Sequence, residues 1–245
     1  MKGDNDLRKV KPYTGDLTPV NAANAIRAAR LNAQDLFDTA DLLFTLKRYC
    51  HSMVFSTLAI EEAAKFSIIL QIFLSPGVDK SRLWKEYRNH KAKTAWLNPA
   101  IESRIRATFP RISREDEKRI RDLGPTPAEL DISKQRALYS ETYESSGEFV
   151  SHLPRLSDWP TLAWDRLCEA RALMLALRDH TPGELTVWLR HAEQVKGKDV
   201  AFHSFLDTLY RDLLKGGFVE EGSWDTLLED AKEDSKLNQE SVGLK

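Results

Sequence analysis

The chain has 245 residues, 42% of them hydrophobic and 30% charged. That is enough apolar material for one sizeable core, and one domain with extensions fits the length better than two full domains. The formal net charge of −1 identifies no partner by itself. Cys50 and Cys168 are the only cysteines and stand in no metal-ligand or redox spacing, and the longest apolar run, residues 66–74, is too short to cross a bilayer; a disulfide-stapled scaffold and a membrane-spanning helix are excluded.

Residues 1–17 are polar, contain Pro12 and Gly15, and read as a flexible leader; their polar start lacks a signal-peptide pattern and points to the cytoplasm. Thr18-Pro19 is a helix start, with Thr as N-cap and Pro at the first helical position. Ile26, Ala29, Ala33, Phe37, Ala40 and Phe44 then keep a helical beat to about residue 47. A second helix is expected over about 50–74, ended by Ser75-Pro76-Gly77. One of its stripes is Val54, Leu58, Glu61, Lys65, Ile68 and Ile72; its neighbour is Phe55, Ala59, Glu62, Phe66, Ile69 and Phe73. A helix greasy on two faces is largely buried, so Glu61 and Lys65 should be carried inward and should pair at the favourable i,i+4 spacing. A buried ion pair is weak evidence of stability, which asks for a reason beyond packing.

The third helix is expected to start near residue 80 and run to 97, with Leu83, Tyr87, His90, Thr94 and Leu97 as its apolar stripe and Lys93 on the same side. Asn98-Pro99 predicts a kink or a stop with restart, after which Ile101, Ile105 and Phe109 continue the beat. Residues 110–132 are charged and proline-punctuated, with room for a short helix over 114–123, and Ala137-Leu138-Tyr139 suits a short strand or an ordered loop. Trp159-Pro160 opens another helix, with Leu162, Leu167, Ala170, Leu173, Leu175 and Leu177 inward, closed by His180-Thr181-Pro182-Gly183. Three shorter helices follow over 184–196, 200–214 and 224–232. The fold class is all-α: a helical bundle of four main helices with shorter appended C-terminal helices. The expected divisions are a leader at 1–17, the bundle at 18–180, a C-terminal helical extension at 181–233, and an acidic and polar tail at 234–245.

Residues 80–121 are rich in Lys and Arg, whereas the segment from Glu220 onward is acidic. This asymmetry fits a phosphate-binding surface with an acidic tail, and equally a pair of solvated helix faces. No Gly-rich phosphate loop, dinucleotide fingerprint, His-Glu-x-x-His, Cys-x-x-Cys or Glu-x-x-His pair is present, so neither a metal site nor a cofactor is expected. What remains is Glu61, Lys65, Arg88, Asn89, His90 and Lys93. A lone His on an apolar stripe is more often a satisfied core histidine than a reacting group. The functional reading needs an acid or base near neutral pH (His90), a cation for developing phosphate charge (Arg88 or Lys93) and a polar orienter (Glu61 or Asn89). Those residue types suit metal-free cleavage of RNA by attack of the 2′-hydroxyl on its own phosphorus.

Ala59-Ile60-Glu61-Glu62-Ala63-Ala64-Lys65, then His90-Lys91-Ala92-Lys93, then Lys134-Gln135-Arg136-Ala137-Leu138-Tyr139 together resemble the AbiV-type abortive-infection proteins of bacteria, a branch of the HEPN helical-bundle superfamily. The resemblance covers roughly residues 24–179, and Glu61, Lys65, His90, Lys93, Lys134 and Tyr139 stand at the family's marked positions. It implies a HEPN-like bundle, a homodimer, and antiviral defence by arrest of translation or growth. Many HEPN proteins are metal-independent ribonucleases with an Arg followed a few residues later by a His. Arg88-Asn89 opens as that motif does, but Lys93 stands where the His would be. Two readings follow. In one, the chain is a ribonuclease or other RNA-acting toxin, with His90, Arg88, Lys93, Glu61 and Lys65 catalytic, Lys85, Lys91, Arg104, Arg106, Lys134 and Arg136 holding RNA, and Asn89, Glu62 and Tyr139 in support. In the other it is a non-catalytic module that senses or sequesters a phage or host protein, and the charged cluster is a structural network.

Overall fold

The structure is a computed structural model that describes residues 11–75, 80–89, 93, 127–138, 141–145, 148–152, 159–196, 198, 202–225, 228–229 and 232. The expected kink at Asn98-Pro99, the short helix over 114–123 and the polar tail lie outside the described residues.

Helix α1 spans Pro19–Thr45, and its start is the predicted one: the Thr18 hydroxyl accepts from the Asn21 amide at 3.2 Å. Lys47, at φ 59°, turns the chain, and the amides of Lys47 and Arg48 return to the carbonyls of Phe44 and Leu43 at 2.9 Å each. Helix α2, Tyr49–Leu74, then runs back along α1. Ala22, Ala29, Ala33 and Ala40 line the buried face of α1, so its backbone can approach α2 closely, and Ile26 and Phe37 fill between them. Most of both predicted α2 stripes is inside: Val54, Ala59, Glu61, Ile68, Ile69, Ile72 and Phe73 are buried, while Phe55, Leu58, Glu62, Lys65 and Phe66 are half-buried.

Helix α3 is Ser81–Arg88, with Trp84 packed on Ile68 and Ile72. It is shorter than its apolar stripe predicts. Asn89 turns extended at φ −97°, ψ 120°, which ends the helix, and its carbonyl accepts the Lys93 amide at 3.2 Å. Residues 13–17 are not a loose leader. Asp16 pairs with the buried ammonium of Lys80, the Trp84 indole donates to the Gly15 carbonyl at 3.1 Å, and the Tyr13 ring meets Trp84 edge-on at 5.6 Å.

Helix α4, Pro127–Leu138, takes in Ala137-Leu138, which were expected as strand or ordered loop, and Ala137 docks on Cys50, Met53 and Val54. A short antiparallel hairpin follows, β1 (Glu141–Ser145) on β2 (Glu148–His152), with Tyr143 opposite Val150. Helix α5, Pro160–Ala176, completes the core through Ala163, Leu167, Ala170 and Leu173. Leu175 was expected inward with Leu173 but is 68% exposed, because two helical steps turn a side chain most of the way round.

Thr181-Pro182 opens a helix rather than closing one. The Thr181 hydroxyl accepts from the Glu184 amide at 3.1 Å, and α6 runs Pro182–Val195. Glu184 is buried, paired with Arg178 and 2.9 Å from His180 Nδ1. Leu185 is fully buried among Ala22, Ala23, Ile26, Ile69 and Phe73, so α6 is part of the bundle. Helix α7, Phe202–Lys215, packs on α6, and Leu206 and Tyr210 form a smaller cluster with Leu228. The architecture is the helical bundle expected, with α2 at its axis: α1, α3, α4, α5 and α6 all lie against it.

Candidate functional site

The centre of the bundle is polar because adjacent residues on α2 point their carboxylates to different neighbours. Successive helix positions differ by about 100°. Glu61, 4% exposed at its side chain, meets Lys134 of α4 at 2.7 Å, and Lys134 lies 3.4 Å from Asp131 one turn earlier. Glu62 faces the other way. Its Oε2 accepts from Lys65 Nζ at 2.6 Å and from Asn32 Nδ2 of α1 at 2.8 Å, while its Oε1 lies 3.6 Å from Lys93 Nζ. Lys65 also sits 5.1 Å from the centroid of the Tyr87 ring on α3.

The expected Glu61–Lys65 pair is therefore not the one formed. A lysine can reach back three residues as well as four, and Lys65 takes Glu62 while Lys134 claims Glu61. Lys134 joins the buried network rather than an exposed phosphate-binding face; its side chain is 7% exposed. Lys93 reaches the same centre, as its placement opposite α2 predicts. Lys85 and Arg88 are exposed on α3, Asn89 is exposed at the break, and Arg136 lies on α4. The Arg88 guanidinium turns toward residue 13, donating to the Tyr13 carbonyl at 3.4 Å. His90, Lys91, Arg104, Arg106 and Tyr139 fall outside the described residues.

Asn32 and Asp131 are members that spacing along α2 and α3 could not supply. Asp131 had a local signal, since it precedes Lys134 by three residues within one helix. Asn32 had none, being an exposed residue on α1 whose amide meets Glu62 only through the α1–α2 packing.

Burial is the strongest single influence on the Glu62 carboxyl and pushes its pKa up. Hydrogen bonds from Lys65 and Asn32, with the charges of Lys65 and Lys93, together outweigh it and hold the carboxyl below its ordinary value. Burial also dominates at Lys93, and the Lys65 ammonium adds to it; Glu62 and Glu61 oppose, but the ammonium still loses its proton more readily than a free lysine. A buried lysine with a lowered pKa can take a proton, and the Lys65 ammonium tied to Glu62 can stabilise negative charge beside it. Among the described residues no group of three or more His, Cys, Asp and Glu gathers as metal ligands would, and no helix is long and apolar enough to cross a membrane.

A family model, HEPN_AbiV, described as AbiV, matches residues 21–173. That span takes in α1 to α4 and most of α5, and with them Asn32, Glu61, Glu62, Lys65, Lys93, Asp131 and Lys134. Neither the curated proteins nor the solved structures contain a match.

Proposed function

Since the chain belongs to the AbiV family of HEPN abortive-infection proteins, we propose that it arrests translation or growth by acting on RNA, with Lys93 as the proton acceptor. The observation that carries this reading is a lysine 3% exposed, facing Glu62 and held below its ordinary pKa. In the proposed step the neutral Lys93 amine removes the 2′-hydroxyl proton, and the freed oxygen bonds to the adjacent phosphorus. The bond from phosphorus to the 5′-oxygen breaks, and the leaving oxygen takes a proton from His90, three residues before Lys93. The products are a 2′,3′-cyclic phosphate and a 5′-hydroxyl. Lys65 supplies positive charge, Glu61 and Glu62 hold the cations in place, and exposed Lys85 and Arg88 lie on the approach. In this reading the protein works as a homodimer and is triggered by a phage or host protein.

A specific observation favours the second reading, in which the network is structural and the protein is a binding module: Glu61 has Lys134 and Glu62 has Lys65, both within 2.7 Å. Induced expression of the wild type, Lys93→Gln and His90→Ala, with growth and total RNA followed together, separates the two. Growth arrest with RNA fragmentation in the wild type, lost in soluble variants of unchanged far-ultraviolet spectrum, supports cleavage. Arrest with intact RNA, or fragmentation that persists in Lys93→Gln, assigns the network to structure. The rate of cleavage should rise with pH through the lowered Lys93 pKa, because the base works only when deprotonated.

A further inference from the structure

Residues 12–17, α1 and α3 enclose a pocket of about 470 Å³ whose lining is mainly apolar. Three aromatic rings form its wall. Tyr13 and Tyr87 stand edge-on to Trp84, at 5.6 Å and 86° and at 5.5 Å and 75°. The polar tips of two of these rings are already taken. The Trp84 indole donates to the Gly15 carbonyl at 3.1 Å, and the Tyr13 hydroxyl donates to the Asp16 carbonyl at 2.5 Å. What they offer a ligand is therefore ring surface, to which Leu17 and Ala25 add. The polar part of the lining is small. Asn21 and Asn24, three apart on α1, bring exposed amides, each with donor and acceptor atoms. Among the described residues Arg88 is the only charged member of the lining, and its guanidinium pairs with no carboxylate. Its contact with the Tyr13 carbonyl is long at 3.4 Å and uses Nη1 alone, which leaves its other donors to a ligand.

We propose that this pocket binds the carboxylate end of an apolar acyl-amino acid, the chemistry of a polypeptide's last residue. Its side chain lies on the rings of Tyr13, Trp84 and Tyr87, its carboxylate on Arg88, and the adjoining amide on Asn21 and Asn24. Small-ligand sites combine apolar walls with a few placed polar groups, and each part of this lining then has one counterpart. A planar guanidinium matches a carboxylate with two parallel hydrogen bonds, and one cation balances one negative charge. A phosphate monoester carries about two negative charges at neutral pH and would be left half-neutralised by a single cation. An uncharged apolar ligand would leave Arg88 without a role, and a polar acid would leave the rings without one. The same chemistry is offered by a free acylated amino acid and by the C-terminus of a protein chain. The inference does not rest on the proposed cleavage, since no proton transfer at Lys93 enters it.

The test is calorimetric titration of the full chain with N-acetylphenylalanine and N-acetylleucine. N-acetylphenylalaninamide is the charge-free control, N-acetylglycine the control without a side chain, and phenyl phosphate the control for the acid group. The expected result is saturable binding of at least one of the two apolar acids, one per chain, about tenfold or more tighter than the amide, as a charge-assisted contact requires. N-acetylglycine and phenyl phosphate should bind more weakly than the better acid. Arg88→Gln should remove the preference for acid over amide. Asn24→Ala, on an exposed helix surface, should weaken acid and amide alike and keep their ratio. A hexapeptide ending in phenylalanine with a free carboxylate that displaces the acid and binds more tightly identifies a chain end as the source; an acid that the peptide does not displace identifies a free small molecule. Absence of saturable binding by either acid overturns the inference, and so does an amide or a phenyl phosphate that binds as tightly as the acids. An Arg88→Gln variant that melts as the wild type does and keeps the acid preference overturns it too. RNA fragmentation in cells is a separate readout, so the cleavage reading can stand where the pocket fails, and the reverse.

Discussion

Glu61 and Glu62 are neighbours in sequence, yet their surroundings predict different costs for losing a partner. Lys134 is Glu61's described ion-pair partner, and both side chains are almost fully inside. Lys134→Ala breaks this buried pair and should therefore destabilise by about 3–5 kcal/mol. Glu62 keeps Asn32 and Lys93 when Lys65 is removed, so Lys65→Ala should cost less, about 1.5–3 kcal/mol for a hydrogen bond to a charged group. Urea denaturation of both variants checks the order, and an equal or reversed pair of costs would show that Glu61 is not the more dependent carboxylate. That both acids and Lys65 lie inside was legible from their stripes. Which acid takes Lys65 was not, because the competitor for Glu61 arrives from a helix more than seventy residues downstream. Reach within one helix cannot reveal a partner supplied by another.

At the scale of the element, the turn from α5 into α6 carries a pH dependence. Burial raises the Glu184 carboxyl, but hydrogen bonds from His180 and Arg178, with their charges, outweigh it and leave its pKa below the ordinary value. The sign follows. A carboxyl with a folded pKa below its unfolded value, about 4.3, contributes stability that is complete above that value and is lost as pH falls through the folded one. Glu62 acts with the same sign. The urea midpoint should thus fall on acidification below about pH 4.3, and Glu184→Gln should flatten that fall; a variant as acid-sensitive as the wild type would exclude Glu184 as a contributor. Thr181→Ala should cost about 1 kcal/mol by removing the cap, measured as a shift in the same midpoint. The Thr-Pro signal that set the start of α1 occurs again at Thr126-Pro127 and Thr181-Pro182. Read consistently, it marks α4 and α6 as well. The short apolar run at 137–139 and the nearby Gly183 drew attention to strand and stop instead. The end of α3 was hidden for the opposite reason: its stripe continues in sequence past the residue at which the backbone turns.

For the molecule as a whole, α2 is the axis and the later helices are not ornaments. Leu185 fills a cluster built from the start of α1 and the end of α2, so Leu185→Ala should destabilise the entire bundle by about 2–5 kcal/mol. Tryptophan fluorescence and far-ultraviolet circular dichroism should report one shared transition. Two separate transitions, with only the later one shifted, would mean that α6 folds by itself. The all-α bundle was legible because periodic apolar residues recur over α1, α2 and α5. The hairpin β1–β2 was not, since Glu141–Ser145 holds a single aromatic residue and Glu148–His152 sets Phe149 beside Val150, so neither strand alternates apolar with polar positions.

The fastening of residues 13–17 to α3 has a practical side. Because Asp16, the Gly15 carbonyl and Tyr13 hold one flank of the helix that carries Tyr87 and Arg88, a purification handle or fusion partner joined directly ahead of Pro12 would tug on that flank. Reporter labels and immobilisation chemistry are better placed at Leu175 of α5, whose side chain stands out into solvent.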